Sequence, residues 1–340
     1  MHKFFLFIAL TFSRLMNATA EQKIYSIHQG KNMNKNILVI GGTRFFGKLL
    51  VQRLLMAGHR VTVATRGYAP DPFGQRVERV RVDRRNGLAM RAAFRSEAYD
   101  VVFDQMCYSP LDAAIAVHTF AGKVGRYVMT STVDVYRALL GKQNRPFAEE
   151  DLDVLGQPVD LAYPWHDPTL AVQSYVSGKL QAEAFLYRDG SLPLVTARLG
   201  HVLGGPGDFT GRLAHYVDLI RACAPLRYSS PEAVTSFMAP QDAADFLVWV
   251  GSQQFDGPVN GASDGAMSAL GLYRRVAEVL EARPEVIQVR EPAATGQLSP
   301  FDYPAPLALD TSRATGLGYR FGHSDEWLED AIRQHDLAFV

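Results

Sequence analysis

Cysteine is scarce in this chain: Cys107 and Cys223 are the only two among 340 residues. Two thiols so far apart form neither a disulfide framework nor a metal cluster, which excludes a cystine-stapled scaffold and fits a reducing compartment. No metal is expected. An excess of charge is missing as well, since 35 lysines and arginines balance 35 aspartates and glutamates. No global field then draws the chain to nucleic acid or to an anionic membrane, and partners must be sought in local sites. Long apolar runs are also lacking. The nearest, Phe4 to Phe12, falls short of the roughly 20 residues that a spanning helix needs.

That run lies in "MHKFFLFIALTFSRLMNATA" and precedes Ala18-Thr19-Ala20, the layout of a secretory signal with a small-residue cleavage site. Arg14 interrupts it, and Met33 stands just before the first β-rich run. Residues 1–33 are therefore read as an N-terminal extension, either a signal-like segment or translation from an upstream start. The second alternative, a cytoplasmic protein, is the expectation; the first makes the protein exported.

From residue 34 onward, short apolar runs alternate with amphipathic stretches: "ILVI" (37–40), "VTVA" (61–64), "VERVRV" (77–82), "DVVF" (100–103), "YVMT" (127–130) and "LVTARL" (194–199). Between the first two, Leu49, Leu50 and Leu54 recur at helical spacing, and "MAGHR" supplies a glycine stop. This predicts an α/β fold, a Rossmann-type doubly wound parallel sheet whose ligand crevice lies beyond the carboxyl ends of the strands. Residues 34–204 form the nucleotide-binding domain. After the turn "HVLGGPGDF" (201–209) the alternation breaks, so 205–256 and 264–340 are assigned to an interleaved substrate lobe. Between them "GPVNGAS" (257–263) returns one strand to the sheet.

The first strand runs into "GGTRFFG", in which Gly41 and Gly47 fit the outer positions of a dinucleotide-binding turn. Gly41, Thr43, Arg44, Phe45, Phe46 and Gly47 are the expected cofactor contacts there, with the amides opening the next helix aimed at a pyrophosphate. Arg44 replaces the middle glycine. The second strand ends in "VATRG", with Thr65 where an NAD-selective fold carries an acidic residue and Arg66 next to it. A missing carboxylate and two guanidiniums able to grip a phosphate point to NADP rather than NAD.

"SYVSGKLQAEAF" places Tyr175 and Lys179 four residues apart on one helix face. A lysine there can lower the pKa of a phenol and ready it for proton exchange with a substrate oxygen. Upstream, "RYVMTSTVDVY" delivers Ser131 and Thr132 to the crevice, where a hydroxyl can steady charge developing on a carbonyl oxygen. With these residues in view, the chain from about Asn36 to Leu280 resembles the extended short-chain dehydrogenase/reductase superfamily, the one that includes NAD-dependent epimerases and dehydratases. The glycine turn, "STVDVY", Tyr175 with Lys179, "RLGHVLGGPGD" and "FMAPQDAADFL" occur in that family's order. The resemblance implies that Tyr175 is the general acid/base, Lys179 its pKa partner and nicotinamide-ribose contact, and Thr132 the third member, with Ser131 the neighbouring alternative. It also matches Asp83 in "VRVDRRN" to an adenine-contacting aspartate; the alternative for Asp83 is a loop cap. A homodimer through two helices per subunit is likewise only what the resemblance implies.

Thr132 and Tyr175 stand 43 residues apart, more than is usual in the family, so 144–168 reads as an inserted loop over the site. Its Trp165, His166 and Asp167 are either substrate contacts or loop anchors. Dehydratases of the family carry an acidic pair after the threonine, whereas here Val133 precedes Asp134, which disfavours dehydration. The arginine that often anchors a nucleotide diphosphate before "FMAPQD" is replaced by Thr235, leaving Arg212 or Arg227 as substitutes. Asp242 reads as a helix cap. The expected activity is hydride transfer at a carbonyl or hydroxyl carbon of a small or nucleotide-linked molecule, as net reduction first and as nucleotide-sugar epimerisation second. A non-catalytic NADP sensor or RNA-binding scaffold is the alternative of another class.

Overall fold

The computed structural model describes residues 34–289 and 298–337; the N-terminal extension expected over 1–33 lies outside the described residues. Seven parallel strands form the main sheet. In chain order the elements begin with β1 (Asn36–Ile40), α1 (Phe45–Met56), β2 (Arg60–Thr65), β3 (Val77–Arg81), α2 (Gly87–Ala93) and β4 (Val101–Asp104). Next come α3 (Pro110–Phe120), β5 (Tyr127–Thr132), α4 (Ala171–Asp189) and β6 (Leu194–Leu199). The remainder comprises β7 (His201–Val202), α5 (Arg212–Arg221), β8 (Leu226–Tyr228), β9 (Phe237–Met238), α6 (Pro240–Ser252), β10 (Gly257–Gly261), α7 (Ala269–Val279), β11 (Val286–Gln288), α8 (Ser312–Gly316) and α9 (Leu328–Leu337). The sheet runs β10-β6-β5-β4-β1-β2-β3, reversing direction at β1 and β4 as a doubly wound sheet does. Every residue of β4, β5 and β6 is buried, because helices cover both faces of a parallel sheet.

Leu50, Val51 and Leu54 of α1 and Phe246, Leu247 and Val250 of α6 bury themselves with Ile37, Val39 and Phe103 on one face. Met90, Phe94, Phe120, Ala182 and Leu186 fill the other. A third cluster, with Tyr216, Tyr273, Phe301 and Ile332, builds the lobe. The lobe boundary expected at 205–256 needs correcting: α6 lies against α1 and the sheet, held also by an Arg53–Asp245 ion pair at 2.6 Å. The apolar stripe of an amphipathic helix does not say which layer it covers. Asp242 is likewise not the cap of α6. Ala239 holds that position, and Asp242 sits in the first turn, where its charge favours the helix dipole. Among the described residues, no helix is long and apolar enough to cross a membrane.

Arg198 of β6 is wholly buried and therefore needs partners inside the protein. Its Nε and Nη2 donate to Glu183 of α4, the latter at 2.7 Å, and its Nη1 donates to the Tyr136 hydroxyl at 2.8 Å. Tyr136 donates onward to Asn260 Oδ1 at 3.0 Å, and Ser131 donates to Glu183 Oε1. One buried charge pair thereby joins β5, β6, β10 and α4. Glu183→Gln or Arg198→Met alone is expected to cost about 3–5 kcal/mol of unfolding free energy by leaving the partner buried and unpaired. The double variant Glu183→Leu/Arg198→Met should recover most of that loss in urea denaturation. Equal destabilisation of single and double variants would contradict this.

Candidate functional site

The glycine turn follows β1 at the carboxyl edge of the sheet. Gly41 and Gly42 have φ of +98° and +89°, which L side chains rarely adopt. Arg44 does not share that requirement: its backbone is extended, with φ −133° and ψ 156°, so an arginine fits where the family pattern has glycine. The left-handed residue is Phe45, at φ 49°, a conformation that costs a non-glycine residue about 1–3 kcal/mol and is found at functional sites. No side chain caps α1, and its first turn holds no acidic residue, so its leading amides are free to face an anion. These residues fit the pyrophosphate of a dinucleotide.

At the end of β2 the Thr65 hydroxyl accepts from Gly67 N at 3.1 Å, and the Arg66 guanidinium lies 5.1 Å over the Tyr68 ring. Arg81, paired in register with Thr65 on β3, donates through Nε to Arg66 O at 3.1 Å. Arg81 is thus a third arginine at this edge that sequence reading passed over. Asp83 is exposed, and its Oδ1 accepts from Arg85 N at 3.0 Å, which is the loop-cap alternative.

Strand alternation separates the two hydroxyls at the end of β5. Ser131 is committed to Glu183 on the inner side. Thr132 caps the 3₁₀ turn Val133–Leu139, accepting from Asp134 N at 3.2 Å, and its hydroxyl donates to Asp134 Oδ2 at 3.2 Å. Gly178, between Tyr175 and Lys179, lets α4 approach the Tyr108 backbone; a Cβ there would collide with Tyr108 O. Lys179 Nζ donates to Thr130 O at 2.7 Å and lies 4.4 Å over the Tyr108 ring. Burial pulls its pKa down to about 8.

The expected lowering of the Tyr175 pKa by Lys179 is not what the geometry provides. Burial, then the nearby Asp134 carboxylate, push the Tyr175 phenol up to about 12 against the opposing pull of the Thr132 hydroxyl and of the charges of Arg212 and Arg137. Tyr175 is held as a protonated phenol, a proton donor.

Three further residues extend this cluster and were missed in the sequence. Arg137 pairs with Asp134 at 2.7 Å and donates through Nη2 to the Tyr303 hydroxyl at 3.2 Å. His201 sits 3.0 Å from that hydroxyl by Nε2 and 3.2 Å from Arg212 Nη1 by Nδ1. Burial drives the His201 pKa down to about 3, so the ring is neutral. Since arginine can only donate, Nδ1 accepts, Nε2–H donates to Tyr303, and the Tyr303 proton remains to be given elsewhere. His201 had a signal, following "RLG" directly after β6; Tyr303 had none.

Of the substrate candidates, Asp134 and Arg212 join this cluster. Arg227 lies on β8, paired in register with Ile287 of β11. His166 is bonded within its loop's surroundings: its Nε2 lies 3.2 Å from Asp112 Oδ1, and burial's upward push on Asp112 is overcome by Arg84 and His166, which hold that carboxyl at about 2. Trp165 is buried and donates to Asp160 O at 2.6 Å, and Asp167 caps the turn Pro168–Leu170. Thr235, in the place of the diphosphate arginine, is buried and donates to Leu307 O at 2.9 Å.

The family model described as NAD dependent epimerase/dehydratase family matches residues 37–110. A 2'-dehydrokanamycin reductase of Streptomyces kanamyceticus is 37% identical over 97 residues, 28% of this chain and 27% of that protein. The chloroplast stem-loop binding protein of 41 kDa b of Arabidopsis thaliana is 27% identical over 139 residues, 37% of this chain and 36% of that protein. The chain therefore matches only about a quarter to a third of the length of these curated relatives. Bordetella bronchiseptica WbmH, solved in complex with NAD+, shares the fold with a TM-score of 0.66 at 19% identity, over 90% of this chain and 99% of that one. The family match thus spans the first four strands, and the fold is shared with that structure along most of the chain.

Proposed function

We infer that this protein is an NADP-dependent oxidoreductase whose net reaction is reduction of a carbonyl substrate. The observation that carries the reading is Tyr175, a phenol kept protonated by burial and by Asp134, with Thr132 of the adjoining strand end among the groups that act on it. NADPH bound along the glycine turn would supply the hydride. As negative charge grows on the substrate oxygen, Thr132 steadies that oxygen and Tyr175 delivers its proton to it. Lys179 keeps an ammonium beneath the site, and Arg44, Arg66 and Arg81 offer the 2'-phosphate its partners. Tyr303, its lone pairs taken by Arg137 and His201, presents a donor to an acceptor oxygen elsewhere on the substrate. Arg137 and Arg212 disfavour a polycationic substrate, whatever the likeness to an aminoglycoside reductase over the nucleotide-binding segment. The likeness to the stem-loop binding protein supports a second reading, a non-catalytic scaffold, which has no need of Tyr175.

Tyr175→Phe separates the two. It is expected to leave cofactor affinity intact and to lower turnover by roughly 10²–10⁴; unchanged turnover would remove Tyr175 from the chemistry. Lys179 loses its proton above a pKa of about 8. The kcat/KM profile should therefore fall on its basic side near that pH, whereas a profile flat to about pH 10, where an exposed lysine titrates, would contradict a role for its charge. Arg66→Ala should weaken NADPH about tenfold or more while leaving NADH nearly unchanged in calorimetric titration. Equal weakening of both cofactors would move the preference away from NADP.

A further inference from the structure

We propose that Gln105 is a ligand of the cofactor's pyrophosphate, an assignment that rests on the dinucleotide reading above. Gln105 follows β4 directly, and its backbone N–H donates to Ile40 O at 3.1 Å, which fixes it beside the end of β1. Its side chain lies across the glycine turn. The Cβ of Gln105 is 3.4 Å from where a Cβ on Gly41 would stand, and its Cδ is 3.1 Å from the equivalent point on Gly47, with Oε1 closer still. Gly47 is thus required to admit this carboxamide as well as to pack the helix.

The other end of the amide has no such explanation. Nε2 is buried and has no hydrogen-bond partner among the described residues. A buried donor without an acceptor is destabilising, and native proteins keep few of them. The segment that carries it is also firmly held. Met106 N donates to Asp104 Oδ1 at 2.9 Å, and Tyr127 and Arg84 both grip the other carboxylate oxygen of Asp104. An orphan donor on a clamped backbone is a position prepared for an acceptor. The acceptor suited to this turn is an anionic oxygen, because the opening of α1 has no acidic residue and no capping side chain. The pyrophosphate is common to NADP and NAD, so Gln105 acts on both alike, in contrast to Arg66.

The test compares the full chain with Gln105→Met and Gln105→Glu by calorimetric titration of NADPH and NADH, alongside thermal unfolding of each protein without cofactor. Gln105→Met is expected to bind both cofactors about tenfold more weakly by the same factor, while unfolding at the same or a higher temperature because the unpaired donor is gone. Gln105→Glu keeps the shape, sets a carboxylate against the phosphates and should bind both more weakly still. Lower stability of Gln105→Met with unchanged affinity would mark a structural residue and overturn the proposal. So would wild-type affinity in Gln105→Glu, or weakening of NADPH alone. If the unaltered chain binds neither cofactor, the dinucleotide reading itself falls and takes this proposal with it.

Discussion

A guanidinium shut away from water must find its countercharge within the protein, and the way Arg198 finds it sets the crevice. Glu183 of α4 supplies the charge, so α4 is held at one height against β6 and β5. Ser131 spends its hydroxyl on the same carboxylate. Strand alternation then turns Thr132 the other way, where its hydroxyl donates to Asp134 Oδ2. The strand end that carries Thr132 and the helix that carries Tyr175 and Lys179 are thus tied together by one buried network.

Above that foundation the site is built to give a proton. Tyr175 sits among buried groups with Asp134 nearby, conditions that keep a phenol neutral. Asp134 is in turn tied to Arg137, Arg137 to Tyr303, and Tyr303 to a histidine that burial keeps uncharged. The donors of this chain point in a consistent direction. Arginines donate, His201 relays the constraint through its tautomer, and the hydroxyl at the end is left with a proton to offer. An acceptor-rich substrate, oxygen on carbon, meets these donors better than an amine does.

The sheet was legible because buried parallel strands read as continuous apolar runs: "DVVF" and "LVTARL" coincide with β4 and β6 to within a residue. The glycine turn, Tyr175 and Lys179 were legible because they lie on local elements with fixed spacing. What escaped was set by contacts distant in sequence. Arg137 and Tyr303 are 166 residues apart, and His201 and Tyr303 are 102 apart, so no pattern within either segment announces their meeting. The side of the sheet that α6 covers escaped for the same reason. Sequence also suggested the wrong sense for the Tyr175 pKa, since the spacing that puts Lys179 on the same helix face does not show that its ammonium is spent on Thr130 O.

The central claim is that Tyr175 and a bound reduced dinucleotide together carry out net reduction. It is tested most directly by following deuterium from C4-deuterated NADPH while the purified protein is screened against carbonyl compounds. The account predicts that the label appears on the former carbonyl carbon of the product, one oxidised cofactor being released for each molecule reduced. Inversion of a stereocentre with the label retained on tightly bound cofactor, and no net consumption of NADPH, would contradict it.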